Sequence, residues 1–297
     1  MHTAPGSQNG FDNSGRRGNI SLLEGTHLQD WARAVDAMSA WAVTNIDADV
    51  LFGIEVLNEP AGFASDAIWD AVKNFVDPKG YEAVRRHSSD LNVIFQTGFK
   101  TFPEEPNFTE DKYKNVWMDQ HTYFCFGEYY NGVAYQGTAK AWPWHLEAAC
   151  NETKNYAIAK SVKGTWAFAG EWSLATTDCT IYLAGGMNNG CNMTAHPDCK
   201  YNATPTQDGH DDICQFYNQP ADKLPEDYKA FLAAYARAQM DAFEASNGWF
   251  FWNFRTEDGH APEWDYLVGL EQGWMPQNAG IREPFCAAQH KPATIFV

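Results

Sequence analysis

The sequence predicts an α/β fold, in which parallel strands are joined by helices that cross between them. Short apolar stretches alternate with longer amphipathic ones along the chain, as they do in proteins built from repeated strand and helix units. The apolar stretches are apolar at successive positions rather than at every second one, which is typical of strands covered on both faces. With 297 residues, 44% of them hydrophobic, the chain can bury the core of one large domain or of two smaller ones.

Five strands are predicted, and their carboxyl ends are the places to look for chemistry. The stretches are VLFGIEVLN at 50–58, NVIFQT at 92–97, VWMDQHTY at 116–123, TWAFAGEW at 165–172 and GWFFWNF at 248–254. In a (β/α)8 barrel the functional groups lie at the carboxyl ends of the strands, whereas residues in mid-strand pack in the core. Candidate catalytic residues are therefore expected where these stretches end.

Two helices have well-marked bounds in the sequence. The first spans about 27 to 45, behind a capping box of Thr26 and Gln29. Its apolar residues at helical spacing are Leu28, Trp31, Val35, Met38 and Trp41. The second spans about 226 to 246, with Pro225 near its start and Gly248 after its end. Its core-facing residues are Tyr228, Phe231, Leu232, Tyr235 and Phe243.

The charge balance excludes some classes of partner. The 21 basic and 38 acidic residues give a formal charge of -17, which repels phosphate backbones and anionic lipid surfaces. Nucleic acid is therefore not an expected partner, whereas a neutral glycan is compatible with this charge. No run of eighteen apolar residues occurs, so no membrane span is expected, and Met1 is followed by polar residues rather than by the core of a signal peptide.

Cysteines and glycosylation motifs favour an extracellular protein. The five N-x-S/T motifs are at Asn19, Asn107, Asn151, Asn192 and Asn202. Four of the seven cysteines, Cys179, Cys191, Cys199 and Cys214, cluster without a CxxC motif or paired histidines, so disulfides are favoured over a zinc site. The segment at about 176–224 is predicted to be an irregular excursion, held by disulfides, within a single domain that spans 1–297.

Two glutamates occupy equivalent positions at predicted strand ends. Glu59 follows the apolar strand in IEVLNEP, with Asn58 before it and Pro60 after it, and Glu171 comes at the end of WAFAGEWS. One such glutamate is usually a solvated cap or part of a structural ion pair, but two of them with aromatic neighbours favour paired-carboxylate catalysis. Cleavage of a glycosidic bond needs such a pair, because one carboxyl group must donate a proton while the other stays ionised.

Three further residues supply what a sugar needs from its binding site. His121 and Tyr123 are two apart on one strand, so both point to the same face, and Trp252 lies near another strand end. Together they offer hydrogen bonds and a flat apolar platform, although His121 or Tyr123 alone is more often structural and Trp252 is as often a core residue. The nine histidines lack an HExxH pattern, and no GxGxxG, P-loop or GxSxG motif occurs. The sequence therefore predicts hydrolysis without a metal or a cofactor.

The order of these motifs resembles the fungal exo-β-1,3-glucanases of glycoside hydrolase family 5. The matching stretches are HTAPGSQNGFDNSG at 2–15, LNEP, HTY, GEWS and GWFFWNF, and the likeness covers essentially the whole chain. It implies a (β/α)8 TIM barrel and a monomer, without a cofactor, that releases glucose from the non-reducing end of β-1,3-glucan. The reaction implied is a retaining double displacement, with Glu59 as acid/base and Glu171 as nucleophile.

The resemblance also implies roles for residues around the two glutamates. Asn58 would hydrogen-bond the sugar 2-hydroxyl, and His121 and Tyr123 would orient the substrate and the nucleophile. The other implied contacts are from His2 and Asn13 to glucose, from Trp252 beneath the reacting sugar, and from Phe11 and Phe126 to the next glucose. The implied disulfides join Cys150 to Cys286 and Cys179 to Cys214, with Cys191 and Cys199 left as a further local pair.

The chain also departs from the pattern of this family. Phe254 stands where relatives often carry a second Trp, and Gln120 and Thr122 replace histidines. The loop at 2–15 follows the third strand in the family, so the barrel is expected to be incomplete, without its first two to three βα units or about 100 residues. The alternatives are an endo-acting or other-linkage β-glucanase of the same family, or a catalytically impaired glycan-binding fragment.

Overall fold

The computed structural model describes residues 1–102, 112–126, 139–161, 166–177, 180, 219–259, 261–280 and 284–286. Its four strands are β1 (Gly53–Glu55), β2 (Asn92–Gln96), β3 (Val116–His121) and β4 (Trp166–Glu171). They form one sheet in the order β1-β2-β3-β4, and both β1 with β2 and β2 with β3 pair in parallel. The predicted α/β fold with a parallel sheet is therefore confirmed.

Within the described residues, six α-helices accompany the strands. They are α1 (His27–Asn45), α2 (Asp66–Ala71), α3 (Asp77–Arg85), α4 (Trp142–Ser161), α5 (Glu226–Phe243) and α6 (Tyr266–Gln272), and a π-helical segment, Val72–Val76, lies between α2 and α3. The chain forms two compact units. The first comprises Met1–His121 and Asn155–Phe168, and the second comprises Thr122–Lys154 and Ala169–Val297.

In the first unit, α1 and α3 pack together and α3 also contacts β2. The bounds predicted for α1 are confirmed, and its buried residues are Trp31, Val35, Ser39 and Ala42. Trp41, one of the apolar residues at helical spacing, is 60% exposed, because the buried positions lie three or four residues apart and pass through Ser39. The indole of Trp31 donates to the backbone oxygen of Val56 at 3.2 Å, which ties α1 to the segment after β1.

The capping box predicted at the start of α1 is also wrong. Thr26 has a ψ of 7° and its side chain accepts no hydrogen bond from the first turn. Its hydroxyl donates instead to the Asp30 carboxylate at 2.8 Å. A capping residue needs an extended backbone to bring its oxygen over the first turn, and Thr26 does not have one.

Two predicted strands are shorter than the sequence suggests. Val50 and Leu51 lie in a turn, because both of their amides donate to the oxygen of Asp47, and β1 is left with three residues. The stretch at 248–254 forms only one bridge, between Ala169 and Trp249. The amides of residues 250 and 252 donate to the backbone oxygens of residues 169 and 172. The donors are two positions apart and the acceptors three, so the regular pairing of two strands is interrupted.

In the second unit, α5 lies against aromatic residues of α4. All five residues predicted to face the core from α5 are buried. Trp142 stacks on Phe231 with ring centroids 4.9 Å apart. The structure joins Cys150 of α4 to Cys286 by a disulfide, the pairing that the resemblance implies.

Some predictions fall outside the described residues. They concern Cys179, Cys191, Cys199 and Cys214, most of the 176–224 excursion, and the motifs at Asn107, Asn192 and Asn202. The side chains of Asn19 and Asn151 are described, and both are exposed. Within the described part of the chain, no helix has both the length and the apolar character that a membrane span needs. The single catalytic domain stays a prediction.

Candidate active site

The loop at 2–15 has a fixed conformation because one glycine permits a close backbone contact. Gly6 has a φ of +81°, and a Cβ at this position would lie 2.3 Å from Nδ1 of His27, which only glycine avoids. The Gly6 oxygen accepts hydrogen bonds from the amide and the hydroxyl of Ser21 at 2.7 and 2.8 Å. The motif is thereby attached to the segment that precedes α1.

Two buried amides of this loop hold the backbone of the predicted acid/base. Gln8 donates from Nε2 to the oxygens of His2 and Asn58 at 2.8 and 2.9 Å. Asn9 donates from Nδ2 to the oxygen of Glu59 at 3.0 Å. Sequence reasoning missed both residues as parts of the site, although amides between the glycines of a motif at the chain start were a signal for such a role.

Glu59 is 6% exposed and has a polar partner on each carboxylate oxygen. His121 lies with Nδ1 2.7 Å from Oε1, and Asn13 donates from Nδ2 to Oε2 at 3.0 Å. The backbone φ of Glu59 is +46°, a left-handed conformation that costs a residue with a side chain on the order of 1–3 kcal/mol. The surrounding hydrogen bonds therefore fix both the backbone and the carboxylate in one orientation.

Two further carboxyl groups lie behind His121. Its Nε2 is 3.2 Å from Oδ2 of Asp119, and Asp119 is hydrogen-bonded to Glu55. Burial, together with the neighbouring Asp119, raises the pKa of Glu55 well above its ordinary value. The ligand atoms of these three residues lie within 4.8 Å of one another. Among the described residues, Oε1 of Glu55 has no hydrogen-bond partner.

The remaining predicted residues of the first unit surround this group. Asn58 is buried, and within the described chain its Nδ2 has no hydrogen-bond partner. Burial lowers the pKa of His2, although the Glu59 carboxylate raises it. Phe11 is 39% exposed and contacts Phe63 and Phe99 at centroid distances of 6.4 and 5.8 Å. The structure thus brings Asn13 and His121 directly to Glu59 and leaves Phe11 in an aromatic cluster.

In the second unit, Glu171 is the last residue of β4. The hydroxyl of Tyr123 donates to its Oε2 at 2.7 Å, and its backbone oxygen accepts from the amide of Thr122. The ring of Tyr123 contacts Phe126 and Trp264, each with a centroid distance of 5.5 Å. Tyr123 thus links Glu171, the predicted nucleophile, to an aromatic cluster that contains Phe126.

Two further tryptophans of the second unit, Trp252 and Trp264, have described contacts. Trp252 is 42% exposed and donates from its amide to the oxygen of Trp172 at 2.8 Å. Trp264, which sequence reasoning missed, is buried against Cys125 and Ala175. It follows Glu263, whose pKa burial raises to about 7, although the hydrogen bond from Tyr228 lowers it.

Comparison with known proteins agrees with the motifs. No protein-family model matches the sequence. A glucan 1,3-beta-glucosidase of Schwanniomyces occidentalis is 34% identical over 279 residues, which are 93% of this chain and 59% of that protein. The chain is similar to the fungal glucan 1,3-beta-glucosidases. A second one, from Blumeria graminis, is 32% identical over 95% of this chain and 61% of its own length. This chain therefore spans about three fifths of the length of these curated glucosidases.

Solved structures support the α/β fold described above. AoRut matches with a TM-score of 0.57 and 17% identity, over 93% of this chain and 64% of its own. The rutinosidase from Aspergillus niger matches with a TM-score of 0.52 and 16% identity, over 92% of this chain and 65% of its own. At these identities the likeness shows the fold alone.

Proposed function

We propose that this chain is the catalytic part of a retaining, exo-acting β-1,3-glucanase that releases glucose from the non-reducing end of the polymer. The observation that carries the proposal is the pair of glutamates: Glu171 ends β4 and Glu59 follows β1 by four residues, and each has its own polar partners. The similarity to glucan 1,3-beta-glucosidases supports the substrate class. On this proposal the sheet is part of a (β/α)8 barrel, whose strand ends carry the chemistry.

The two glutamates would divide the double displacement between them. Glu59 would protonate the leaving oxygen while Glu171 attacks the anomeric carbon and forms a glycosyl-enzyme. Glu59 would then accept a proton from the water that hydrolyses this intermediate. Retention requires the two carboxyl groups to act about 5 Å apart on one sugar ring. The hydrogen bond from Tyr123 favours the ionised form of Glu171 that such an attack needs.

The neighbouring residues fit the binding of a pyranose. The buried Nδ2 of Asn58 is a donor without a protein partner among the described residues, and a sugar 2-hydroxyl would satisfy it. Asn13 and His2 would contact the same sugar, and the exposed ring of Trp252 would lie beneath it. Two exposed rings, Phe11 and Phe126, would hold the next glucose of the chain.

We propose that the protein acts outside the cell. The disulfide between Cys150 and Cys286 is typical of oxidising compartments, and the acceptor asparagines Asn19 and Asn151 are exposed. A β-glucan of a cell wall would be accessible to it there.

The test is hydrolysis of laminari-oligosaccharides by the full chain and by three variants. Wild-type protein is expected to give glucose as the sole early product, with its anomeric configuration retained in NMR spectra. Glu171→Ala is expected to abolish turnover. Glu59→Ala is expected to keep slow activity on substrates whose leaving groups need no proton, and the exposed Glu24 provides the control Glu24→Ala, with unchanged rates.

Other outcomes would favour the alternatives. A ladder of oligosaccharides would indicate an endo-acting enzyme, and inversion would contradict the double displacement. Folded wild-type protein that binds β-glucan without turnover would indicate a glycan-binding protein. Wild-type activity in Glu171→Ala would show that the nucleophile is another residue.

A further inference from the structure

Four ionisable side chains of the first unit form one continuous chain of hydrogen bonds. Glu59 contacts Nδ1 of His121 at 2.7 Å, Nε2 of the same ring contacts Asp119 at 3.2 Å, and Asp119 is bonded to Glu55. The side chains of Glu59, His121 and Asp119 are 8%, 4% and 2% exposed. Asp119 and His121 lie two apart on β3, so they share a face, and Glu55 reaches the same face from β1.

The number of protons in this chain follows from its geometry. The contacts of His121 with Glu59 and Asp119 join electronegative atoms 2.7 and 3.2 Å apart, and the side chains of Asp119 and Glu55 are hydrogen-bonded. Each of these three contacts needs one proton. A neutral imidazole supplies one of them. Two more must be held, one between Glu55 and Asp119 and one between His121 and Glu59. The four groups then carry a net charge of -1 instead of the -3 of three ionised carboxylates and a neutral ring.

Asp119 is the group on which the remaining negative charge is most stable. It accepts from the ring on one side and from Glu55 on the other. Burial and the neighbouring Asp119 disfavour the ionised form of Glu55 more than His121 and the amino group of Met1 favour it. The raised pKa of Glu55 agrees with its being the protonated partner. An ionised Asp119 requires its ring partner, Nε2, to carry the hydrogen.

We propose that Asp119 and Glu55 are positioning residues that hold His121 with its hydrogen on Nε2, so that Nδ1 shares a proton with Glu59. This inference rests on the proposed function, in which Glu59 must be protonated in one step and ionised in the next. The chain would keep a proton at Glu59 Oε1 available to the leaving group and return it to the same place after hydrolysis. Among the described groups of the first unit, His2 and the amino group of Met1 also interact electrostatically with members of this chain.

The first test uses the pH dependence of kcat/KM in the full chain. Asp119→Asn removes the negative charge that stabilises the proton shared by His121 and Glu59. The basic limb of the profile is therefore expected to move to lower pH by about one unit. In Glu55→Gln the side-chain amide still donates a hydrogen bond to Asp119 at every pH. The basic limb of the kcat/KM profile is therefore expected to stay at the same pH, even if the maximal rate changes. The matched control is Asp36→Asn, because Asp36 also contacts a histidine, His87, at 2.8 Å on the surface.

The second test does not depend on activity. In wild-type protein labelled with 15N-histidine, the His121 signal, assigned with His121→Gln, is expected to show the hydrogen on Nε2. Nδ1-protonated neutral His121, or an unmoved basic limb in folded Asp119→Asn, would overturn the inference. So would a Glu55→Gln profile shifted as far as that of Asp119→Asn. If no hydrolysis is found but the Nε2 hydrogen is present, the proposed function fails and the tautomer assignment stands.

Discussion

Tyr123 is the residue whose single hydroxyl can be removed most cleanly. It donates to Oε2 of Glu171 at 2.7 Å, while its ring packs against Phe126 and Trp264. We expect Tyr123→Phe to keep these ring contacts and to lower kcat about 10²-fold, because one preorganised donor to the reacting carboxylate is lost. KM should change little. The measurement is steady-state hydrolysis of an aryl β-glucoside.

Tyr235→Phe is the control for this variant. Tyr235 is fully buried, and among the described residues its hydroxyl has no hydrogen-bond partner. Its loss should leave kcat unchanged. Equal effects of the two substitutions would mean that Tyr123 acts through packing and not through its hydroxyl.

At the residue scale, the sequence identified charged groups at strand ends better than the groups that support them. Glu59 and Glu171 stand out because each follows an apolar run. Gln8 and Asn9 lie in a glycine-rich loop, where a polar residue has no distinctive neighbours, and their role depends on backbone oxygens about 50 residues away. Asp119 lies within a strand, and nothing local shows that its partner is Glu55 on β1.

At the element scale, the packing of α4 on α5 contains a buried histidine. His145 is 0% exposed, and its ring lies 5.6 Å from that of Tyr235 and 6.2 Å from that of Phe231. Burial lowers the pKa of His145 to about 3. The folded protein therefore binds this proton less readily than the unfolded chain, whose histidine titrates near pH 6.5.

This difference predicts an acid sensitivity carried by the helix pair. The contribution that neutral, buried His145 makes to the free energy of unfolding is fully present above pH 6.5 and is lost as the pH falls towards 3. We expect His145→Leu to remove this loss, so that the variant gains on the order of 3 kcal/mol relative to wild type between pH 7.5 and pH 4. The measurement is the free energy of unfolding in urea at both pH values.

The same urea experiment has a control within the helix pair. Tyr235→Phe changes a residue that contacts the His145 ring but stays neutral in this pH range, since burial raises the pKa of Tyr235 well above its ordinary value. Its effect should be equal at the two pH values. A His145→Leu effect that is also equal at both would contradict the assignment to His145.

Element bounds followed from the sequence where one face of the element is buried along its length. The stripe through Trp31 and Val35 fixes α1, and the apolar face of α5 fixes that helix. The capping box at Thr26 was wrong because hydrophobic periodicity does not determine which hydrogen-bond partner a hydroxyl takes. The stretch at 248–254 does not form a regular strand because a strand needs a partner in register. The spacing of its backbone hydrogen bonds to residues 169–172 changes after one bridge.

At the scale of the whole molecule, the strands lie in the sheet in the same order as in the sequence. Alternating strands and helices predict this order, because consecutive parallel strands are usually neighbours when a helix crosses between them. The covalent link that no local pattern specifies is the one from α4 to the residues after α6. Cys150 and Cys286 are 136 positions apart, and only the family resemblance paired them.

That link gives the last prediction. Closing a loop of 136 positions restricts the unfolded chain, so we expect Cys150→Ala/Cys286→Ala to lower the free energy of unfolding by about 2–4 kcal/mol. The measurement is urea unfolding of the double variant and of wild type under oxidising conditions. Cys125→Ala is the control for packing, because Cys125 is also buried and the substitution removes one sulfur atom without opening a loop. If the control loses as much as the double variant, packing of the sulfur atoms and not loop closure accounts for the stabilisation.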